Sequence, residues 1–145
     1  MTAKKAAPIR WYADESVLGF GKLVAHQRDD LVYPGHPAVP EIAPGALDTE
    51  WMPIAARNGW VIFHRDRRIR TRPAELEIFR SEGLRAVWFA GRKDLTPGQQ
   101  VDLALQHWRR LEREIIRLGG GPWALDLIDT GLREIKLHAA RPRPS

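Results

Sequence analysis

The chain has 145 residues, 43% apolar and 28% charged, an ordinary composition for a soluble globular protein long enough to bury its own core. It contains no cysteine, which excludes disulfides, thiolate metal sites and cysteine nucleophiles. A formal charge of +5 and a pI near 10.1 favour a polyanionic partner, RNA or DNA first.

The opening MTAKKAAPIR has no long apolar segment behind its lysines, so it does not read as a secretory signal. No stretch approaches the roughly 20 apolar residues that span a bilayer. A cytoplasmic protein without membrane contact is expected. One domain over 1–145 is expected too, with flexible basic ends at about 1–8 and 139–145.

Ile9 to Ala13 reads as a first strand, followed at once by Asp14 and Glu15. Ser16 is placed to cap a helix whose apolar stripe is Val17, Phe20, Leu23 and Val24, with Lys22, His26 and Arg28 on the polar side. Leu31 to Tyr33 is a short second strand. Pro34 to Leu47 carries four prolines and cannot be helical, so a loop is expected. Asp48 fits the cap of a helix that buries Trp51, Ile54 and Ala55 and stops at Gly59. Trp60-Val61-Ile62-Phe63 has the β-branched and aromatic composition of a strand buried on both faces.

That strand runs into Asp66 amid Arg65, Arg67, Arg68, Arg70 and Arg72. A helix opens at Pro73 and ends near Glu82, and Leu84 to Ala90 is another buried strand. Thr96 to about Leu118 reads as one long helix, closed by Gly119-Gly120-Gly121. Pro122 to Ile128 is a last buried strand, with GLREIKL returning as a hairpin partner after an Asp-Thr-Gly turn. Alternating strands and helices predict an α/β fold with a mainly parallel sheet flanked by helices.

Ligands of such sheets bind beyond the carboxyl ends of the strands. Asp14 and Asp66 follow strands, and Asp48 opens the helix leading into the central strand. Carboxylates gathered at one edge repel one another unless a cation lies between them, and hard Mg²⁺ or Mn²⁺ takes such oxygen ligands. With such a metal the natural chemistry is phosphodiester hydrolysis by an activated water. Arg65, Arg67, Arg68 and Lys22 are candidates to hold a phosphate backbone.

The run Ala13-Asp14-Glu15-Ser16, then Asp48 with Trp51 and Ala55, then VIFHRDRRI from Val61 to Ile69, resembles the PIN domain. Within it, the closest likeness is to the PIN-like group that includes VapC-type toxins, over roughly Arg10 to Trp108. The resemblance implies a Rossmann-like sheet and an Mg²⁺-dependent endoribonuclease (Mn²⁺ being the alternative metal). By position, Asp14, Asp48 and Asp66 become the catalytic, metal-binding acids, with Glu15, Glu50 and Asp94 as further candidate ligands. Arg68 stands where the common pattern often has another acid, and His64 where it often has Ser or Thr. RNA as substrate, a homodimer and a cognate antitoxin are the implied partners. Two other readings compete: a catalytically weak PIN-like nucleic-acid-binding or interaction module, and a receiver-like domain with Asp66 as phosphoacceptor and Lys93 as its lysine.

Overall fold

A computed structural model describes residues 8–65, 72–91 and 94–137. Among them, six strands form one sheet: β1 (Trp11–Ala13), β2 (Leu31–Val32), β3 (Val61–His64), β4 (Arg85–Phe89), β5 (Trp123–Ile128) and β6 (Gly131–Ile135). Their order across the sheet is β2-β1-β3-β4-β5-β6. All neighbours are parallel except β5 and β6, which form a hairpin. The chain passes from β1 outward to β2 on one side and from β3 outward to β4 on the other, and this switch between adjacent β1 and β3 is where open α/β sheets form a crevice.

Helices cover both faces, which is why the strands read as continuous apolar runs rather than alternating ones. On one face α1 (Leu18–Ala25), α4 (Pro97–Gln106) and α5 (Trp108–Leu118) bury Phe20, Leu103 and Leu111 against Trp11, Phe63 and Leu125. On the other, α2 (Asp48–Asn58) and α3 (Pro73–Ser81) bury Trp51, Met52 and Phe79 against Tyr12, Ile62 and Ala86. Adjacent strand residues thus serve opposite cores, as their period of two requires. The α/β architecture with a mainly parallel sheet matches the sequence expectation.

Local details differ from it: Leu23, expected in the buried stripe of the first helix, is 45% exposed, and the first two strands are shorter, at Trp11–Ala13 and Leu31–Val32. The long helix is interrupted at His107 (φ −109°, ψ 13°), where the ring Nε2 lies 3.1 Å from the carbonyl of Asp129. Ser16 sits inside a 3₁₀ turn (Glu15–Val17) that Asp14 caps, its side chain accepting from the Ser16 amide. Asp48 is the first residue of α2 rather than its cap, and its Oδ1 accepts the Trp51 indole N–H at 3.0 Å. Gly59 ends α2 as expected, with φ +66°, a conformation that glycine adopts without strain.

The proline-rich loop is folded onto the core. Its turns are closed by bonds from Gly35 N to Ile42 O (2.8 Å) and from Val39 N to His36 O (3.0 Å), and Val39 and Ile42 are buried. Behind β2, Arg28 makes a two-pronged pair with Asp30, Nε to Oδ1 at 2.9 Å and Nη2 to Oδ2 at 2.7 Å. The Asp30 carbonyl in turn accepts the amides of Arg10 and Trp11, which joins this pair to the start of β1. The Arg28 guanidinium also lies 4.8 Å from the Trp108 ring.

Candidate functional site

Asp14 leaves β1 at its carboxyl end and is only 3% exposed. Its amide donates to Phe63 O on β3 at 3.2 Å, so the two strands stay joined one residue past the ladder. Its Oδ1 accepts from the Ser16 amide at 3.0 Å and from the Ser16 hydroxyl at 2.5 Å. Ser16 Oγ also accepts the Arg65 amide at 2.9 Å. One serine thereby fixes a buried carboxylate and the residue leaving β3 in a single arrangement. Charge-assisted bonds of this kind set orientation more firmly than neutral ones.

Glu15 points the other way: its Oε1 accepts the Gly45 amide and pins the proline-rich loop beside the site. Asp48 arrives on the same side through α2, half-buried beneath the loop, with Trp51 packed 5.0 Å from the Tyr12 ring. Tyr12 lies within electrostatic reach of these acids. Its hydroxyl is buried and has no hydrogen-bond partner among the described residues. Burial raises its pKa first, and Asp14, Glu15 and Asp48 each raise it further. The carboxylates after β1, in the following turn and at the start of α2 therefore lie within electrostatic reach of that hydroxyl. Carboxylates are the hard oxygen donors that suit a divalent cation such as Mg²⁺ or Mn²⁺.

Other expected residues occupy the same edge to different degrees. Arg65 follows β3 and pairs with Asp94, which follows β4; both side chains are exposed, at 42% and 85%. Lys22 is exposed on α1, with Nζ 6.0 Å from the ring of Tyr33 just past the end of β2. Glu50 is exposed on the first turn of α2, outside the set of acids that act on Tyr12. Asp66, Arg67, Arg68 and Lys93 lie outside the described residues. Among the described residues alone, no three His, Asp or Glu side chains are grouped so as to hold a metal ion.

Sequence reading missed one feature of this region. Asp126, in the middle of β5, is 3% exposed and accepts from Arg133 Nη2 at 3.0 Å on β6. In the sheet register, His64 pairs with Trp88, Trp88 with Asp126 and Asp126 with Arg133. These four residues form one row across the α2/α3 face near the carboxyl ends. The clue was in the sequence: a two-residue Asp129-Thr130 turn sets Ile128 opposite Gly131 and hence Asp126 opposite Arg133.

The mainly parallel α/β sheet thus carries acids just after β1 and at the start of α2, and an arginine just after β3. The family model described as a PIN like domain matches residues 18–91, from α1 to just past β4 and just over half the chain. The chain belongs to this PIN-like family, and its fold is of the nuclease type. No curated protein and no solved structure matches it significantly.

Proposed function

We propose that the chain is a metal-dependent endoribonuclease of the VapC toxin type, hydrolysing RNA phosphodiester bonds. One observation carries the reading: the buried Asp14 carboxylate at the carboxyl end of β1, held by Ser16, which also accepts the amide of Arg65 as the chain leaves β3. Asp14, Asp48 and Asp66 would hold Mg²⁺ or Mn²⁺, with Glu15, Glu50 and Asp94 as further candidate ligands. When bound, such an ion supplies the charge that makes a water acidic and steadies phosphoryl oxygens.

The chain's own residues do the rest. Ser16 holds the Asp14 carboxylate, and the Glu15 bond to Gly45 ties the proline-rich loop to the turn after β1. Arg65, Arg67, Arg68 and Lys22 would bind the RNA backbone, with Arg65 exchanging Asp94 for a phosphate. An exposed pair of this kind is worth under about 1 kcal/mol, so the exchange is cheap. A second copy of the chain and an antitoxin segment are the proposed protein partners.

One observation favours a second reading. Arg65 is engaged by Asp94, and the acids of the described residues do not close into a metal cage by themselves. That arrangement suits a PIN-like module that holds RNA without cutting it.

The test is cleavage of a mixed RNA panel with Mg²⁺ or Mn²⁺ by native protein, Asp14→Asn and Asp66→Asn. Metal-dependent cleavage that falls by orders of magnitude in both variants supports the nuclease. Folded native protein that binds RNA but leaves it intact with either metal supports the binding module.

A further inference from the structure

At the opposite, amino edge of the sheet is a cavity of about 280 Å³ that the nuclease reading does not use. Arg10, Asn58, Gly59 and Arg85 border it with Ile9 and Ile115, and no carboxylate is among its lining residues. Arg85 opens β4 and Arg10 immediately precedes β1, so strand β3 between them brings two guanidiniums to one opening. Arg85 is half-buried, and its guanidinium donates to the Gly59 carbonyl at the end of α2. It has no carboxylate partner among the described residues. Arg10 is better provided, by Glu112 Oε2 at 3.4 Å and by the charge of Asp30, but its side chain is 46% exposed and neither acid lines the cavity.

Like charges that converge in a partly desolvated cavity are unfavourable unless an anion lies between them. Arg85 carries the signature of that conflict, its pKa lowered by burial first and by Arg10 second. Trp11 also borders the cavity, and its buried indole N–H has no acceptor among the described residues. A volume just under the range of most small-molecule pockets suits a compact ion or the end of a small ligand.

We infer that Arg10 and Arg85 form a binding site for a phosphate-type oxyanion at the amino edge of the sheet, remote from the acidic edge. Two planar forks that approach from either side of β3 match the several oxygens of a phosphate group. The phosphate is either inorganic or the terminal group of a nucleotide. This site does not depend on the chain being a nuclease.

Calorimetric titration of the full chain tests it, at constant ionic strength and with inorganic phosphate, a nucleoside 5′-monophosphate and the bare nucleoside as probes. Saturable binding of phosphate is expected, weakened at least tenfold in Arg85→Gln and in Arg10→Gln. Arg117→Gln, the same charge change on exposed α5, should bind as native protein does. Tighter binding of the monophosphate, with none of the nucleoside, supports the site and identifies a nucleotide end; equal binding supports it and identifies free phosphate. Absence of saturable binding, or equal affinity in Arg10→Gln and Arg117→Gln, overturns the site. Should Arg85→Gln fail the circular-dichroism check of folding, exposed Arg10 carries the comparison.

Discussion

Removing the Arg28 guanidinium, as Arg28→Met, should cost the fold about 2–3 kcal/mol, a figure built from the surroundings of the pair. Breaking a fully buried ion pair from one side costs about 3–5 kcal/mol, because the other charge is left without compensation. Here the Asp30 side chain is 10% exposed and that of Arg28 is 34% exposed, so water screens part of the loss. Methionine keeps the contact with Trp108 but forfeits the cation–π term, about 0.5–1 kcal/mol at a partly exposed site. For a domain of this size the midpoint of thermal unfolding should fall by about 5–10 °C.

The pH dependence is the sharper measurement. Burial alone would raise the Asp30 pKa, but the hydrogen bonds and charge of Arg28 outweigh it and hold it below the ordinary value. A lowered folded pKa gives stability that is present above the unfolded carboxylate value, near pH 4, and is lost as pH falls through the folded value. In Arg28→Met only a backbone hydrogen bond and the more distant charge of Arg10 still oppose burial, so the Asp30 pKa moves up. The deficit of the variant against native protein should then shrink as pH falls from 7 toward 4. Urea unfolding at several pH values measures both, with Arg28→Met/Asp30→Asn expected to recover at least half the loss. A deficit under about 0.5 kcal/mol, the range of neutral surface changes, would refute the reasoning, as would one that stays flat with pH.

Three further outcomes are expected. Tyr12→Phe should stabilise by about 1 kcal/mol in chemical denaturation, since it removes a buried hydroxyl that has no partner among the described residues; a loss of that size would mean the hydroxyl is satisfied. Gly21→Ala should destabilise by about 1–3 kcal/mol, because the new Cβ would meet the Ala13 Cβ at 2.7 Å between α1 and β1. Ser16→Ala should lower kcat for RNA cleavage by roughly tenfold with little change in KM, because it frees the Asp14 carboxylate to turn; a change in KM alone would place Ser16 in substrate binding instead.

The sheet was legible because its strands are apolar on both faces. Trp60 to Phe63 and Leu84 to Phe89 have the composition of buried parallel strands, and both are found there. The stop at Gly59 was legible for a backbone reason, its positive φ. The break at His107 was not, since the apolar spacing continues from Leu103 through Leu111 and no glycine or proline marks it. What ends α4 there is accompanied by a contact to Asp129, distant in sequence and invisible to a local window. Asp14 could be placed at the strand edge from its position, but its restraint by Ser16, and Ser16's reach to Arg65 forty-nine residues away, depend on β1 and β3 lying side by side. Asp126 was hidden by its apolar neighbours in WALDLI, which make the run read as core.

The outer strands of the sheet have a consequence for how copies of this chain can associate. Among the described residues, β2 offers only two residues of ladder, and β6 shows solvent the charged Arg133 and Glu134. Neither margin is a good template for a neighbouring strand, so continuous cross-molecule sheets are discouraged from both sides. A homodimer of this chain would therefore join through its helical surfaces, and crowding should yield discrete particles rather than fibres.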